Sequence, residues 1–138
     1  EMLSFAGVDL TGKRVTVIGR SLVIGKPVTQ LLIKANATVT VCHTKTRDLP
    51  LVCREADILV VAAGVPRLVD ASYIKEGSVV VDVGIHVDEQ GNLCGDVDFD
   101  AVAEHTSLIT PVPGGVGSVT TSVLAKHLLR AFMSDERK

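Results

Sequence analysis

Valine and isoleucine dominate a series of short apolar runs at Arg14–Ile18, Thr38–Cys42, Ile58–Ala62, Ser78–Val83 and Leu108–Ile109. Runs that stay apolar rather than alternating predict parallel strands covered on both faces. Helical patterns lie between and after them, over Pro27–Lys34, Leu49–Glu55, Ala71–Ile74, Phe99–His105 and Val119–Met133. Pro27 falls in the first turn of its segment, where a missing N–H costs little. Strand and helix therefore alternate. Right-handed crossovers then place helices on both faces of one doubly wound parallel sheet, with ligands gathering at the carboxyl ends of the strands.

The first strand runs through Gly19-Arg20-Ser21 to Gly25 and Pro27 at a helix start. A strand, a glycine turn and a helix N-terminus form the phosphate site of Rossmann-like α/β folds, although this run departs from G-x-G-x-x-G. Here Gly19 lets the chain turn, Ser21 offers a hydroxyl to phosphate, Gly25 allows helix and sheet to pack closely, and the helix offers unpaired N–H groups. An ordinary strand-turn-helix junction is the plainer alternative for this run alone. Further marked loops follow the later strands: Cys42–Thr46, Gly64–Pro66, Gly84–His86 and Pro111–Gly117. All are expected to converge on one crevice.

The end of the second strand bears on which dinucleotide fits. An acidic residue there would accept from ribose hydroxyls and repel a 2′-phosphate. This chain instead offers Thr44, Lys45 and Thr46, with Arg20 able to reach the same ribose. A guanidinium grips a phosphate bidentately, so NADP is expected over NAD.

The 138 residues are enough for one domain, and 46% hydrophobic against 22% charged residues argues for a packed core. A net charge of −2 without a basic block before the tail gives no support for nucleic acid. The longest apolar run, Ile58–Ala63, is far short of the ~20 residues a membrane span needs. Cys42, Cys53 and Cys94 lack C-x-x-C spacing and are expected to be reduced, structural thiols. His43, His86, His105 and His127 lack paired ligand spacing, so no metal site is expected. His43 is read as a neighbour of the ribose or adenine and His86 as a satisfied loop histidine. Asp82 and Asp96 are read as structural, with Asp96 as a turn or cap group. No serine-histidine-acid set or carboxylate pair emerges to carry catalysis.

Taken together, Gly19-Arg20-Ser21, Ala37–Thr40, Cys42–Thr46, Ala63–Pro66, Val81–Ile85, Gly95-Asp96-Val97 and especially Ile109–Gly117 resemble the bifunctional methylenetetrahydrofolate dehydrogenase/methenyltetrahydrofolate cyclohydrolase family. The resemblance runs from about Leu10 to Leu129 and covers the cofactor half of such an enzyme. It implies that Gly19, Arg20 and Ser21 cradle NADP, that Arg20 and Thr44 hold its 2′-phosphate, and that Ile85 and Thr120 approach the nicotinamide. Pro113, Gly114 and Gly115 would border a cleft for tetrahydrofolate derivatives. The whole enzyme would oxidise methylenetetrahydrofolate with NADP and then hydrolyse the methenyl product to formyltetrahydrofolate. It would be cytoplasmic or in the mitochondrial matrix, and a homodimer.

The family's catalytic lysine and tyrosine belong to a Y-x-x-x-K motif in an N-terminal folate-binding domain. That motif is absent here, because Tyr73 is followed four residues later by Gly77. Residues 1–12 are accordingly expected to be the tail of an interdomain helix and a linker, 13–133 the dinucleotide domain and 134–138 a tail, with the isolated chain inactive. Two departures stand out. His86 replaces the family's usual Asn, and Ser118-Val119 replace Pro-Met, a change expected to loosen the start of the last helix. The alternative function is a stand-alone nucleotide-binding module with a sensing or scaffolding role.

Overall fold

The computed structural model describes residues 1–135, so Glu136, Arg137 and Lys138 of the expected tail lie outside the described residues. Five parallel strands form the sheet: β1 (Arg14–Ile18), β2 (Thr38–Cys42), β3 (Ile58–Val61), β4 (Ser78–Asp82) and β7 (Thr106–Ile109), in the order β2-β1-β3-β4-β7. Helices α2 (Gly25–Lys34), α3 (Leu49–Arg54) and α4 (Phe99–Val102) and a 3-10 turn at Ala71–Tyr73 lie in the crossovers. A short helix α1 (Met2–Phe5) precedes the sheet and a long one, α5 (Val116–Asp135), follows it.

Burial follows the strand order. The central strand β3 is buried along its whole length and β1 is buried from Val15 onward, whereas the flanking β2 and β7 are largely open. Two apolar layers cover the faces. One joins Ile18, Leu59, Val61 and Val80 to Cys53 of α3 and Val102 of α4. The other joins Val15, Val17, Ile58 and Val60 to Leu32 of α2. Alternate residues of each strand thus serve opposite layers, as the pleat requires. This is the doubly wound α/β sheet expected from the sequence.

Four details differ from the sequence reading. The strand β7 begins at Thr106 rather than Leu108; as a flanking strand it tolerates Thr106 and Ser107, which an apolar-run criterion overlooks. A two-stranded antiparallel hairpin, β5 (His86–Val87) and β6 (Leu93–Cys94), was not foreseen, because strands of two residues carry no periodicity. Its turn is held by Asp88, whose carboxylate accepts from Gln90 N and Asn92 N. The last helix starts at Val116 rather than Val119, so Ser118 and Val119 sit inside its first turn and the expected loosened start is not seen. That helix also continues to Asp135, past the expected boundary at residue 133. Residues 1–12, expected as a helix tail and a linker, hold α1 and lie against the domain: Leu3, Val8 and Leu10 pack on the second layer, and Glu1 pairs with Lys126 of α5 at 2.8 Å.

The cysteines behave as expected. All three are free and buried, and burial pushes the Cys53 thiol up to about 12. No helix among the described residues is long and apolar enough to cross a membrane, and no group of three or more potential metal ligands is found among them.

At the amino edge of the sheet, Asp57 accepts from Arg14 N at 3.0 Å and from Lys75 Nζ at 2.6 Å, tying the starts of β1 and β3 to the approach to β4. The Lys75 bond, followed by the Arg14 amide, holds its carboxyl below the ordinary 3.8. A lowered carboxylate pKa contributes stability above the unfolded value and loses it as pH falls through the folded value. The pair is partly exposed, so Asp57→Asn should cost roughly 0.5–1 kcal/mol at pH 7. Urea unfolding at pH 7 and again near pH 3 checks this: the gap between variant and parent should narrow at the lower pH.

Candidate nucleotide site

The sheet changes direction of winding between β1 and β3, since β1 leads outward to β2 and β3 leads the other way to β4. A crevice is expected outside the carboxyl ends at such a switch. At the end of β1, Gly19 has φ +117°, a conformation rarely open to other residues, and a Cβ there would fall on the carbonyl of Ala62 at the end of β3. Gly25 is also excluded from carrying a side chain, but by the Gly19–Arg20 backbone rather than by the sheet as the sequence suggested.

Ser21 closes the turn. Its Oγ accepts from Ile24 N at 3.0 Å and Gly25 N at 3.3 Å, and its carbonyl accepts from Lys26 N at 3.0 Å. Pro27 has no N–H to give. The first-turn amides of α2 are thus satisfied within the chain, which corrects the expectation of open helix N–H groups. The Ser21 hydroxyl proton stays available, because both of these side-chain bonds use its oxygen as acceptor.

Strand register sets Ile18 of β1 against Cys42 of β2, and Gly19 N donates to Cys42 O at 2.9 Å. Arg20 and Thr44 therefore each stand two residues beyond a paired position on neighbouring strands. Arg20 is exposed and has no ion-pair partner among the described residues. In the loop after β2, His43 N donates to Thr46 Oγ1 and Lys45 N donates to His43 Nδ1. That acceptor role puts the neutral ring's proton on Nε2. Thr46 uses its oxygen as an acceptor within the turn. Thr44 and Lys45 remain exposed, as does Arg47, which the sequence reading passed over although it extends the same polar run.

The loops after β3, β4 and β7 are tied by two buried carboxylates. Asp82 accepts from Gly84 N, Asp96 N and Val97 N at 2.9, 3.1 and 2.9 Å. Burial raises its pKa, and the three amides act in the opposite direction. Its own N–H donates to Thr110 Oγ1 at 2.8 Å, which fixes the start of the Pro111–Gly117 loop. Asp96, fully buried, accepts from Gly64 N at 2.9 Å and bonds His86 Nε2 at 2.7 Å. Both aspartates are structural, as expected, but Asp96 reaches across the fold instead of capping its own turn. His86 is the satisfied loop histidine expected.

A cleft of about 340 Å³ results, with Ile85 on one side and Pro113, Gly114, Gly115 and Thr120 on the other. Ile85 is 66% exposed at its mouth, and a cis peptide joins Val112 to Pro113. The Thr120 hydroxyl donates to Val116 O at 3.0 Å within α5. Gly19, Arg20, Ser21 and Thr44 lie along the same sheet edge on the other side of β3 and do not line this cleft. The loops share an edge as expected, along which two stretches lie side by side. One is cationic and polar; the other is apolar and rich in proline and glycine.

Comparison with known proteins places this arrangement. Residues 1–136 match the family described as tetrahydrofolate dehydrogenase/cyclohydrolase, NAD(P)-binding domain. The bifunctional protein FolD of Clostridioides difficile is 60% identical over 138 residues, covering all of this chain and 48% of the relative. The crystal structure of the Trypanosoma brucei methylenetetrahydrofolate dehydrogenase-cyclohydrolase, complexed with NADP cofactor and inhibitor, aligns with a TM-score of 0.91 at 45% identity. It covers 99% of this chain and 49% of that one. The Thermoplasma acidophilum enzyme aligns with a TM-score of 0.90 at 35% identity, over 99% of this chain and 48% of its own. The chain spans about half the length of the curated relatives it matches. It belongs to the NAD(P)-binding domain family of the tetrahydrofolate dehydrogenase/cyclohydrolases.

Proposed function

We propose that this chain is the NADP-binding domain of a bifunctional enzyme that oxidises methylenetetrahydrofolate and hydrolyses the methenyl product to formyltetrahydrofolate. The observation carrying the cofactor assignment is the charge pattern at the ends of β1 and β2. Exposed Arg20, Thr44, Lys45 and Arg47 stand there, and the first carboxylate after β2 is Asp48, beyond all of them. Such a surface suits a 2′-phosphate. The crowded approach of Gly19 to Ala62 supports a backbone surface that a nucleotide can meet closely.

In this reading Arg20 and Thr44 hold the 2′-phosphate, Gly19 and Ser21 cradle the diphosphate, and Ile85 and Thr120 border the nicotinamide. Pro113, Gly114 and Gly115 form the wall of the folate cleft. When bound, NADP supplies the hydride acceptor. Ile85, exposed at the cleft mouth, and the Pro113–Gly115 wall keep water from the reacting face. The lysine and tyrosine of a Y-x-x-x-K motif would come from a further, folate-binding domain.

Support for such a domain comes from the apolar side chains left open on α5, among them Leu128 and Phe132 at 72% and 64% exposure. Beside them is an apolar cleft of about 600 Å³ between α1, the β4–β7 edge and α5. A homodimer and a cytoplasmic location belong to the same reading. The outer edge of β2, which among the described residues pairs only with β1, supports the first, and the free buried thiols support the second.

Calorimetric titration of the chain with NADP and with NAD tests the assignment. NADP should bind more tightly, and Arg20→Ala should remove roughly 1.5–3 kcal/mol from NADP binding while changing NAD little. Equal losses for the two cofactors would contradict the phosphate role. The isolated chain should turn over neither methylenetetrahydrofolate nor methenyltetrahydrofolate; measurable cyclohydrolase activity would show that the Y-x-x-x-K lysine is dispensable.

A further inference from the structure

The two buried aspartates are solvated differently. Asp82 receives three backbone amides, whereas the carboxylate of Asp96 receives one, from Gly64, and completes its hydrogen bonding with the His86 ring. No lysine or arginine pairs with either carboxylate among the described residues. A fully buried carboxylate is stable only when its oxygens are met by donors. Asp96 therefore needs both partners, and they come from different loops. Gly64 belongs to the loop after β3, and His86 opens β5 directly after Ile85. Gly84 adds a steric limit, because a Cβ there would collide with the Asp96 side chain.

We infer that Asp96 and His86 are positioning residues of the nucleotide crevice. Their contact, bridged to Gly64, sets the distance between the loop after β3 and Ile85 at the mouth of the neighbouring cleft. This rests on the NADP reading above. Neither side chain need touch the nucleotide. Asp96 has no exposed surface, and His86, with 21% of its side chain exposed, directs Nε2 inward. The effect on binding is transmitted through the loops they hold. Remove the imidazole donor, and Asp96 Oδ1 is left buried without a partner, so the Gly64 and Ile85 loops lose their common tether.

His86→Phe keeps a ring of similar size and deletes the donor, and His86→Gln restores an N–H of comparable reach. NADP affinity of the parent and both variants should be measured by calorimetry, alongside the Gly64 amide resonance in proton–nitrogen NMR spectra. The Phe variant should bind NADP about tenfold more weakly and shift the Gly64 amide. The Gln variant should bring both back towards the parent. A general packing defect would not be rescued by Gln.

Parent-like NADP affinity in the Phe variant would overturn the inference, and so would weakened binding with an unmoved Gly64 amide. Should the Phe variant fail to hold its fold by circular dichroism, His86→Ala takes its place under the same criteria. If the parent chain itself binds no NADP, the cofactor reading fails. The tether is then decided by the Gly64 resonance alone: an amide that moves in the Phe variant and returns in the Gln variant supports it, and one that stays put overturns it.

Discussion

The carboxyl edge of this sheet depends on placing two carboxylates inside the protein and satisfying them there. Burying an ionised carboxylate without donors costs several kcal/mol or more, so Asp82 and Asp96 impose order on every segment that must supply one. Gly64, Gly84, Asp96, Val97 and His86 each deliver an N–H, and Thr110 joins through the Asp82 backbone. Gly84 and Gly95 are glycines for the same reason, since a Cβ at either would occupy the space of the Asp96 or Asp82 side chain. Three loops with little secondary structure of their own thereby gain a fixed relation to the rigid strands β3, β4 and β7.

The other half of the edge is organised differently. Arg20, Thr44 and Lys45 are exposed and stand beyond strand ends whose register is fixed by the β1–β2 ladder. Ser21 satisfies the start of α2 internally, so in the proposed role a phosphate there would be held by side chains and by the turn that Gly19 permits. This division suits the proposed role. A solvated cationic rim recognises charge and tolerates some motion, whereas a nicotinamide surface must be held rigidly against a folate.

Much of the fold was legible from residue pattern because each central strand is buried on both sides and so is written almost entirely in valine, isoleucine and leucine. The flanking strand β7 was legible only in its last two residues, Leu108 and Ile109, since an edge lets Thr106 and Ser107 remain polar. Likewise the hairpin at His86–Val87 and Leu93–Cys94 has too few residues to show a period. Of the candidate site, charge and position in the sequence single out Arg20 and Thr44, and the fold sets both beyond the ends of neighbouring strands. That the Thr46 oxygen also accepts from His43 N is visible only in the folded turn.

The sequence by itself determined the parallel α/β architecture, the glycine turn, the lack of an acid directly at the end of β2 and the family, because all of these reside in residue type and local order. Only the tertiary structure decided that Asp96 ties Gly64 to His86, that Ser21 consumes the first-turn amides of α2, and that the proline-glycine loop faces Ile85 across a cleft. Those are contacts between segments far apart in the chain or between particular atoms of a turn. Their geometry exists only once the strands are in register and the carboxylates have been drawn into the core.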